Sequence, residues 1–74
     1  MNTQYRTEMR KYRFLNNEMT QQQLGKLMGL SRASVCEIET GKRIPTLHQA
    51  HFIAKILNTT IDVLFFPEEQ NSSK

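Results

Sequence analysis

The sequence is poor in several residue types on which whole classes of protein depend. It has one cysteine, no tryptophan, two prolines and three glycines among 74 residues. A single cysteine cannot form an internal disulfide, which favours a reducing compartment. The sequence shows no signal peptide and no apolar run near the ~20 residues that a membrane span needs. These absences predict a cytoplasmic protein with no membrane partner.

Residues for catalysis and metal binding are equally sparse. His48 and His51 are three positions apart, but two ligands do not make a metal site, and no cysteine, aspartate or glutamate lies beside them. No set of nucleophile, base and orienting group is evident. A redox switch at Cys36 is an alternative, but this lone cysteine lacks the flanking cations that make a thiol reactive. We therefore expect no metal, no cofactor and no enzymatic activity.

What the sequence does contain is net positive charge and apolar residues at helical spacing. The formal net charge is +3 and the sequence pI is about 9.4, a balance compatible with binding nucleic acid. Seventy-four residues allow one domain, whose core would be marginal and would gain from dimerisation. No strand-period pattern occurs in the first 63 residues. The sequence therefore predicts an all-α fold, a compact bundle of about five helices.

A short helix is predicted over about residues 20–28. Thr20 and Gln23 form the capping box T-x-x-Q, which can satisfy the free amides of a first helical turn. Gly29 follows the helix, where a left-handed residue is expected. Gly25 lies where the next helix must approach, so the missing side chain is useful there. Leu24 and Leu27 are expected to point inward.

A second short helix is predicted directly afterwards, over about residues 31–40. Ser31 is a good N-cap, and Gly41 and then Pro45 end the helix. Leu30 is expected to enter the core from the turn between the two helices. The inward positions of this helix are Val35 and Ile38, and the outward stripe consists of Arg32, Ala33, Cys36, Glu37 and Thr40.

Three further helices complete the prediction. The first covers about residues 3–16, the fourth runs from a second capping box at Thr46 to about residue 57, and the fifth begins at Thr60. Residues 64–66 are compatible with either helix or extended chain. The expected inward residues of these helices are Tyr5, Met9, Tyr12, Leu47, Ala50, Ile53, Ala54, Leu57, Ile61, Leu64 and Phe65.

The segment TQQQLGKLMGLSRASVCEIETGKRIPTL resembles the Cro and phage-repressor class of helix-turn-helix domains. The likeness is greatest to the short, single-domain, XRE-like regulators of bacteria and phages, and it covers about residues 9–65. It implies a lambda-repressor-like domain over residues 1–66, with 67–74 as a polar tail that we expect to be flexible. Two positions depart from the class. Gly25 replaces the usual alanine, which we expect to loosen the motif slightly, and Phe52 replaces a polar residue.

The resemblance also implies where DNA would be contacted. The second helix of the motif enters the major groove of double-stranded DNA, which places Ser31, Arg32, Ala33 and Glu37 against base edges. Arginine can pair with guanine, alanine can touch a thymine methyl group, and glutamate can accept from cytosine N4. The alternative is an ordinary solvated helix face. Glu37 should repel DNA unless it pairs with cytosine or with Arg32, and its main role would then be to reject wrong sequences.

Four residues are candidates for contacts to the phosphate backbone. Thr20 and Gln21 begin a helix, where amides and the helix dipole favour an anion. Lys42 and Arg43 follow the recognition helix in a loop expected to flank the DNA. The alternative role for these two cations is general solubility.

The class also pairs an arginine at the end of the first helix with the glutamate of its I-E-x-G segment. This pairing implies a structural ion pair between Arg13 and Glu39. Because Glu39 adjoins the inward Ile38, its carboxylate is expected to be largely buried and to need a partner.

Large apolar residues on the non-core side of the C-terminal half predict a homodimer interface. They are Phe52, Ile56, Val63 and Phe66. A dimer fits the class, whose paired domains bind pseudo-palindromic sites. The sequence thus predicts a nucleoid-associated transcriptional regulator that represses by occluding a promoter. The alternative is a protein-interaction module of the same fold, a phage modulator or antitoxin, whose protein partner is another repressor or a toxin.

Overall fold

The computed structural model describes residues 7–66, which form five α-helices and no strand. The predicted all-α bundle is therefore confirmed, and residues 64 and 65 are helical. Tyr5 and the tail 67–74 lie outside the described residues. The helices are α1 (Met9–Leu15), α2 (Gln21–Met28), α3 (Arg32–Thr40), α4 (Leu47–Ile56) and α5 (Ile61–Phe65).

Local sequence explains where most of the helices begin. In α2, the Thr20 hydroxyl accepts a hydrogen bond from the Gln23 amide at 3.0 Å, and the Gln23 side chain accepts one from the Thr20 amide at 2.8 Å. Thr46 and Gln49 form the same reciprocal pair at the start of α4. Hydroxyls of Ser31 and Thr60 cap α3 and α5. Each such cap stabilises a helix by about 1 kcal/mol.

The helix ends depend on residues that tolerate a left-handed backbone. Gly29 ends α2 with φ of 73° and Gly41 ends α3 with φ of 85°. Asn58 follows α4 with φ of 59°. Glycine and asparagine are the residues that adopt this conformation at least cost. The chain leaves the helical path after α2, α3 and α4 as a result.

The core is one apolar cluster to which all five helices contribute. Most of the residues predicted to point inward are in it, and Tyr12, Leu30 and Ile61 pack against it half-buried. Its buried members are Met9, Leu24, Val35, Ile38, Ala50, Ile53, Ala54, Leu57, Leu64 and Phe65.

Two inward predictions are wrong. Leu27 is 55% exposed, because the buried side of α2 is set by Leu24, Gly25 and Met28. At about 100° per residue, Leu27 lies about 60° beyond Leu24 on the side away from Met28. Leu47 is 79% exposed because it belongs to the first turn of α4, beyond the edge of the core.

Side-chain hydrogen bonds attach α1 to the remaining helices. The Thr7 hydroxyl donates to the Glu39 carbonyl at 2.8 Å. The Asn16 amide donates to the carbonyls of Tyr12 at 2.7 Å and Leu57 at 2.9 Å. Asn16 therefore joins the ends of α1 and α4.

A polar cluster that is largely buried holds α1, α2 and α3 together. Arg13 forms a two-point ion pair with Glu39, in which Nε meets Oε2 and Nη2 lies 3.2 Å from Oε1. The side chains are 13% and 8% exposed. Arg13 Nη1 also donates to the Met19 carbonyl at 2.6 Å, and Gln21 Nε2 donates to Glu39 Oε1 at 2.9 Å. We call Arg13, Glu39 and Gln21 the clamp.

Gly25 packs closely against the turn that leads into α3. A Cβ atom placed there would lie 2.6 Å from the Leu30 carbonyl oxygen and 3.4 Å from Val35 Cγ2. The first distance is below van der Waals contact, and a backbone oxygen cannot move aside as a side chain can. The Leu30 amide also donates to the Gly25 carbonyl at 2.8 Å, which fixes the turn. The glycine thus permits a closer helix pair than alanine would.

We expect Gly25→Ala to destabilise the fold, although alanine alone would favour the helix by about 1 kcal/mol. The forced separation of α2 and α3 should cost about 1–3 kcal/mol as overpacking. Urea unfolding measures the difference. The matched control is Lys26→Ala on the exposed side of α2, which should change stability little. A Gly25→Ala protein more stable than the wild type would contradict the close approach.

We expect Glu39→Gln to destabilise the protein by more than an exposed pair is worth, because Arg13 then keeps a largely buried charge without its counter-charge. Exposed pairs contribute about 0.2–1 kcal/mol, whereas breaking buried pairs costs about 3–5 kcal/mol.

The control for this variant is Glu37→Gln. Glu37 pairs with Arg43 at 3.4 Å, and both of those side chains are 48% exposed. Equal unfolding free energies for Glu39→Gln and Glu37→Gln would show that the clamp has no special structural role.

Candidate nucleic-acid interface

The outer face of α3 presents the side chains that the sequence analysis assigned to it. Val35 and Ile38 are buried, and they fix the rotation of the helix about its axis. Arg32, Ala33 and Glu37 are consequently exposed. Thr40 is exposed too, and Cys36 is half-buried. The exposed face thus combines a cation, a small apolar residue, an acid and a hydroxyl.

Arg32 is the first residue of α3. Its exposed side chain forms no hydrogen bond or ion pair with residues 7–66. It lines a shallow cleft between the start of α2 and the side of α1, together with Gln21, Gln22 and Arg10. The guanidinium is thus available to a ligand that approaches this side of the molecule.

Glu37 has a partner that the sequence analysis did not anticipate. The predicted partners were cytosine and Arg32, but Arg32 lies about 140° away around α3 at about 100° per residue. Instead Glu37 Oε1 lies 3.4 Å from Arg43 Nε. Arg43 Nη1 also lies 3.5 Å from Ser34 Oγ, so the arginine lies along α3.

Ser31, the fourth residue proposed for base contact, already forms hydrogen bonds within the protein. Its hydroxyl accepts from the Ser34 amide at 3.1 Å and donates to the Ser34 hydroxyl at 3.1 Å. The residue is exposed at the start of α3. A contact from Ser31 to a ligand would compete with its capping bond.

The four candidates for phosphate contact differ in their surroundings. Lys42 is exposed, and its side chain has no partner within the part of the chain that the structure describes. Arg43 is held by Glu37. The Thr20 hydroxyl caps α2, and the Gln21 amide is half-buried in the clamp. Of these four residues, Lys42 is therefore the one whose charged side chain is exposed and not yet engaged by another described residue.

Sequence reasoning missed Arg10. It is exposed on α1 and lines the same cleft as Arg32. The two arginines are 22 positions apart in sequence, and only the packing of α1 beside α2 and α3 brings them to one cleft. In the sequence, Arg10 could have been recognised as a candidate from its position three residues before Arg13 on the same helix.

The four predicted interface residues differ in their exposure. Phe52 and Phe66 are exposed, whereas Ile56 and Val63 are half-buried and Ile56 packs against the core. Phe66 lines an apolar groove between the loop after α3, α4 and α5. We call it the C-terminal groove, and its lining consists of Ile44, Pro45, Leu47, Ala50, Ile61, Phe65 and Phe66.

The two histidines lie apart from any cluster of metal ligands in the described residues. His48 and His51 are exposed, and no three or more histidine, cysteine or acidic side chains of residues 7–66 cluster as metal ligands would. None of the helices in the described part of the chain is long and apolar enough to cross a membrane.

Comparison with known proteins agrees with the geometry. The chain matches the helix-turn-helix family over residues 9–64, from the start of α1 into α5. It is 38% identical over 66 residues to an uncharacterized HTH-type transcriptional regulator of Archaeoglobus fulgidus, covering 88% of this chain and 92% of that protein.

A second such regulator, from Methanocaldococcus jannaschii, is 38% identical over 64 residues, 86% of this chain and 96% of its own length. Another from Archaeoglobus fulgidus is 35% identical over 65 residues, 88% of this chain and 91% of that protein. These relatives are archaeal, whereas the sequence resemblance was drawn to bacterial and phage regulators. With the family matched across its helices and near full-length relatives of the same type, the chain belongs to the helix-turn-helix proteins of the Cro and phage-repressor kind and is not an enzyme.

Proposed function

We propose that this protein is a sequence-specific DNA-binding transcriptional regulator, and that it represses by occupying a pseudo-palindromic operator as a homodimer. The observation that carries the proposal is the arrangement of α3. Its inner side is locked into the core, and its outer side offers Arg32, Ala33 and Glu37 to a partner. A helix of this kind fits the major groove, where such side chains distinguish base pairs. The proposal places the protein in the cytoplasm, on the nucleoid.

The surrounding cations support an approach to the phosphate backbone. Arg10 lies beside Arg32 on one side of the motif, and Lys42 follows α3 on the other. Cations on both flanks of a reading helix attract DNA and set its position without reading sequence. The first turn of α2 adds backbone amides and a positive helix end near Thr20.

We propose that the C-terminal groove forms the dimer interface. Ile44 and Leu47 are exposed at 77% and 79%, and they flank a surface where polar area is scarce. Of the four residues that the sequence suggested, Phe66 belongs to this groove. Phe52 lies about 140° from Leu47 around α4, at about 100° per residue, and would be peripheral. Two copies joined here would each keep α3 uncovered, because the outer face of α3 is separate from the groove lining.

The competing function is a protein-interaction module that binds a repressor or a toxin. The C-terminal groove also favours this function, because it would receive an apolar segment of another protein equally well. Direct binding to duplex DNA discriminates between the two. Selection of bound sequences from a random duplex pool should yield a pseudo-palindromic consensus for a regulator, and no enrichment for an interaction module.

We expect Arg32→Ala to weaken binding to the selected site by about 1–3 kcal/mol and to relax preference at one base-pair position in each half-site. Lys42→Ala should weaken binding to all sequences by a similar factor and lower the salt slope by about one unit per protomer. Fluorescence anisotropy with singly substituted duplexes measures both effects. Unchanged affinity and preference in Arg32→Ala would contradict the placement of α3 in the major groove.

We expect Leu47→Glu to yield folded monomers, because the residue is exposed and a charge in the groove would oppose burial against a second copy. Operator affinity should fall by about 100-fold, since two linked half-sites reinforce each other. Sedimentation and DNA binding measure the two effects. Phe52→Glu is the matched control on the other side of α4. Monomers from Phe52→Glu but dimers from Leu47→Glu would move the interface away from the groove.

A further inference from the structure

The position of the Arg43 side chain is unusual for a simple phosphate contact. A cation in a loop beside DNA would be expected to extend into solvent, as Lys42 does. Arg43 instead lies along α3, with Nε 3.4 Å from Glu37 Oε1 and Nη1 3.5 Å from Ser34 Oγ. The residue therefore bridges two side chains one turn apart on the proposed reading helix.

The backbone of the loop supports this bridge. The Glu37 carbonyl accepts hydrogen bonds from the amides of Lys42 at 2.9 Å and of Arg43 at 3.1 Å. Gly41 supplies the left-handed residue that turns the chain back, with φ of 85°. The segment after α3 is thus tied to Glu37 by both main chain and side chain. These hydrogen bonds hold the backbone of Arg43 close to Glu37.

Glu37 needs such a neighbour if α3 enters the major groove. Its carboxylate would approach two strands of phosphates, and the exclusion of water there strengthens the repulsion. A guanidinium beside it removes the net charge of the pair. Because a carboxylate has two oxygens with several acceptor positions, pairing at Oε1 leaves acceptor capacity for a base. Cytosine N4 is the major-groove donor that a glutamate accepts from.

We propose that Arg43 is a positioning residue for base recognition, which neutralises and orients Glu37 so that its carboxylate can accept from a cytosine. This inference rests on the proposed function, since it requires α3 to contact base edges. It assigns Arg43 a role in choosing sequence, and it separates Arg43 from the adjacent Lys42, whose role is a uniform phosphate contact.

The proposal makes a specific prediction about paired substitutions. Without Arg43, an uncompensated Glu37 repels DNA and loses its orientation, so Arg43→Ala should weaken binding and also abolish preference at the base pair that Glu37 contacts. Glu37→Gln should abolish preference at the same position. In the double variant the repulsion is gone, so Arg43→Ala with Glu37→Gln should bind more tightly than Arg43→Ala alone.

The experiment measures anisotropy on the selected operator and on duplexes substituted at each position, for the wild type, Arg43→Ala, Glu37→Gln, the double variant and Lys42→Ala. We expect preference at one position to fall about tenfold in Arg43→Ala and Glu37→Gln, and to stay intact in Lys42→Ala. Thermal unfolding checks that all variants fold, which their exposed positions predict.

Two results would overturn the inference and are distinguishable. If the wild type discriminates among sequences and Arg43→Ala scales all affinities down uniformly, as Lys42→Ala does, Arg43 is a phosphate contact and the inference is wrong while the proposed function stands. If the wild type binds every duplex equally, the proposed function fails and this inference fails with it.

Discussion

The ion pair of Arg13 with Glu39 is the interaction on which the arrangement of the first three helices depends. Glu39 is part of α3 and receives hydrogen bonds from α1 through Arg13 and from α2 through Gln21. A carboxylate that is 8% exposed is costly unless its partners are in place. Native packing of the three helices brings these three side chains together, so that each buried polar group has a partner. Because it holds α3 against α1 and α2, the clamp also fixes the direction in which the proposed base contacts on α3 point.

Local features of the fold could be predicted from sequence because they depend on residues three or four apart. The two capping boxes and the left-handed residues Gly29 and Gly41 are of this kind, and the structure confirms them. The exposure of Leu27 and Leu47 could not be predicted in this way. Each of these leucines lies three residues from a buried residue of its own helix, Leu24 or Ala50, as the pattern requires. The edge of the core is set by the neighbouring helices, however, and periodicity within one helix carries no information about their positions.

The candidate interface likewise has features that sequence predicts and features that depend on the packing of distant segments. That α3 has an outer polar face follows from its own residues, and the pairing of Arg13 with Glu39 followed from the family resemblance. Gln21 was predicted to contact phosphate, and only the structure shows that it joins the clamp. The pairing of Glu37 with Arg43 and the meeting of Arg10 with Arg32 require the path of the loop after Gly41 and the packing of α1. Both involve arginines, whose long side chains reach several neighbours. Sequence can count such charges, but only the fold decides which of them neutralise an acid and which remain available to DNA.

The close contact at Gly25 has a mechanical consequence. The turn that leads into α3 is packed against α2 there, since a Cβ atom at Gly25 would lie 2.6 Å from the Leu30 carbonyl oxygen and the Leu30 amide donates to the Gly25 carbonyl at 2.8 Å. The two helices should therefore move as one body when the protein meets a ligand. On the proposed function, adjustment to a distorted or imperfect duplex would be taken up elsewhere, in side chains such as Arg10 and Lys42 or in the relative placement of the two proposed copies. With that function, the motif would therefore present α3 to the duplex in one fixed orientation.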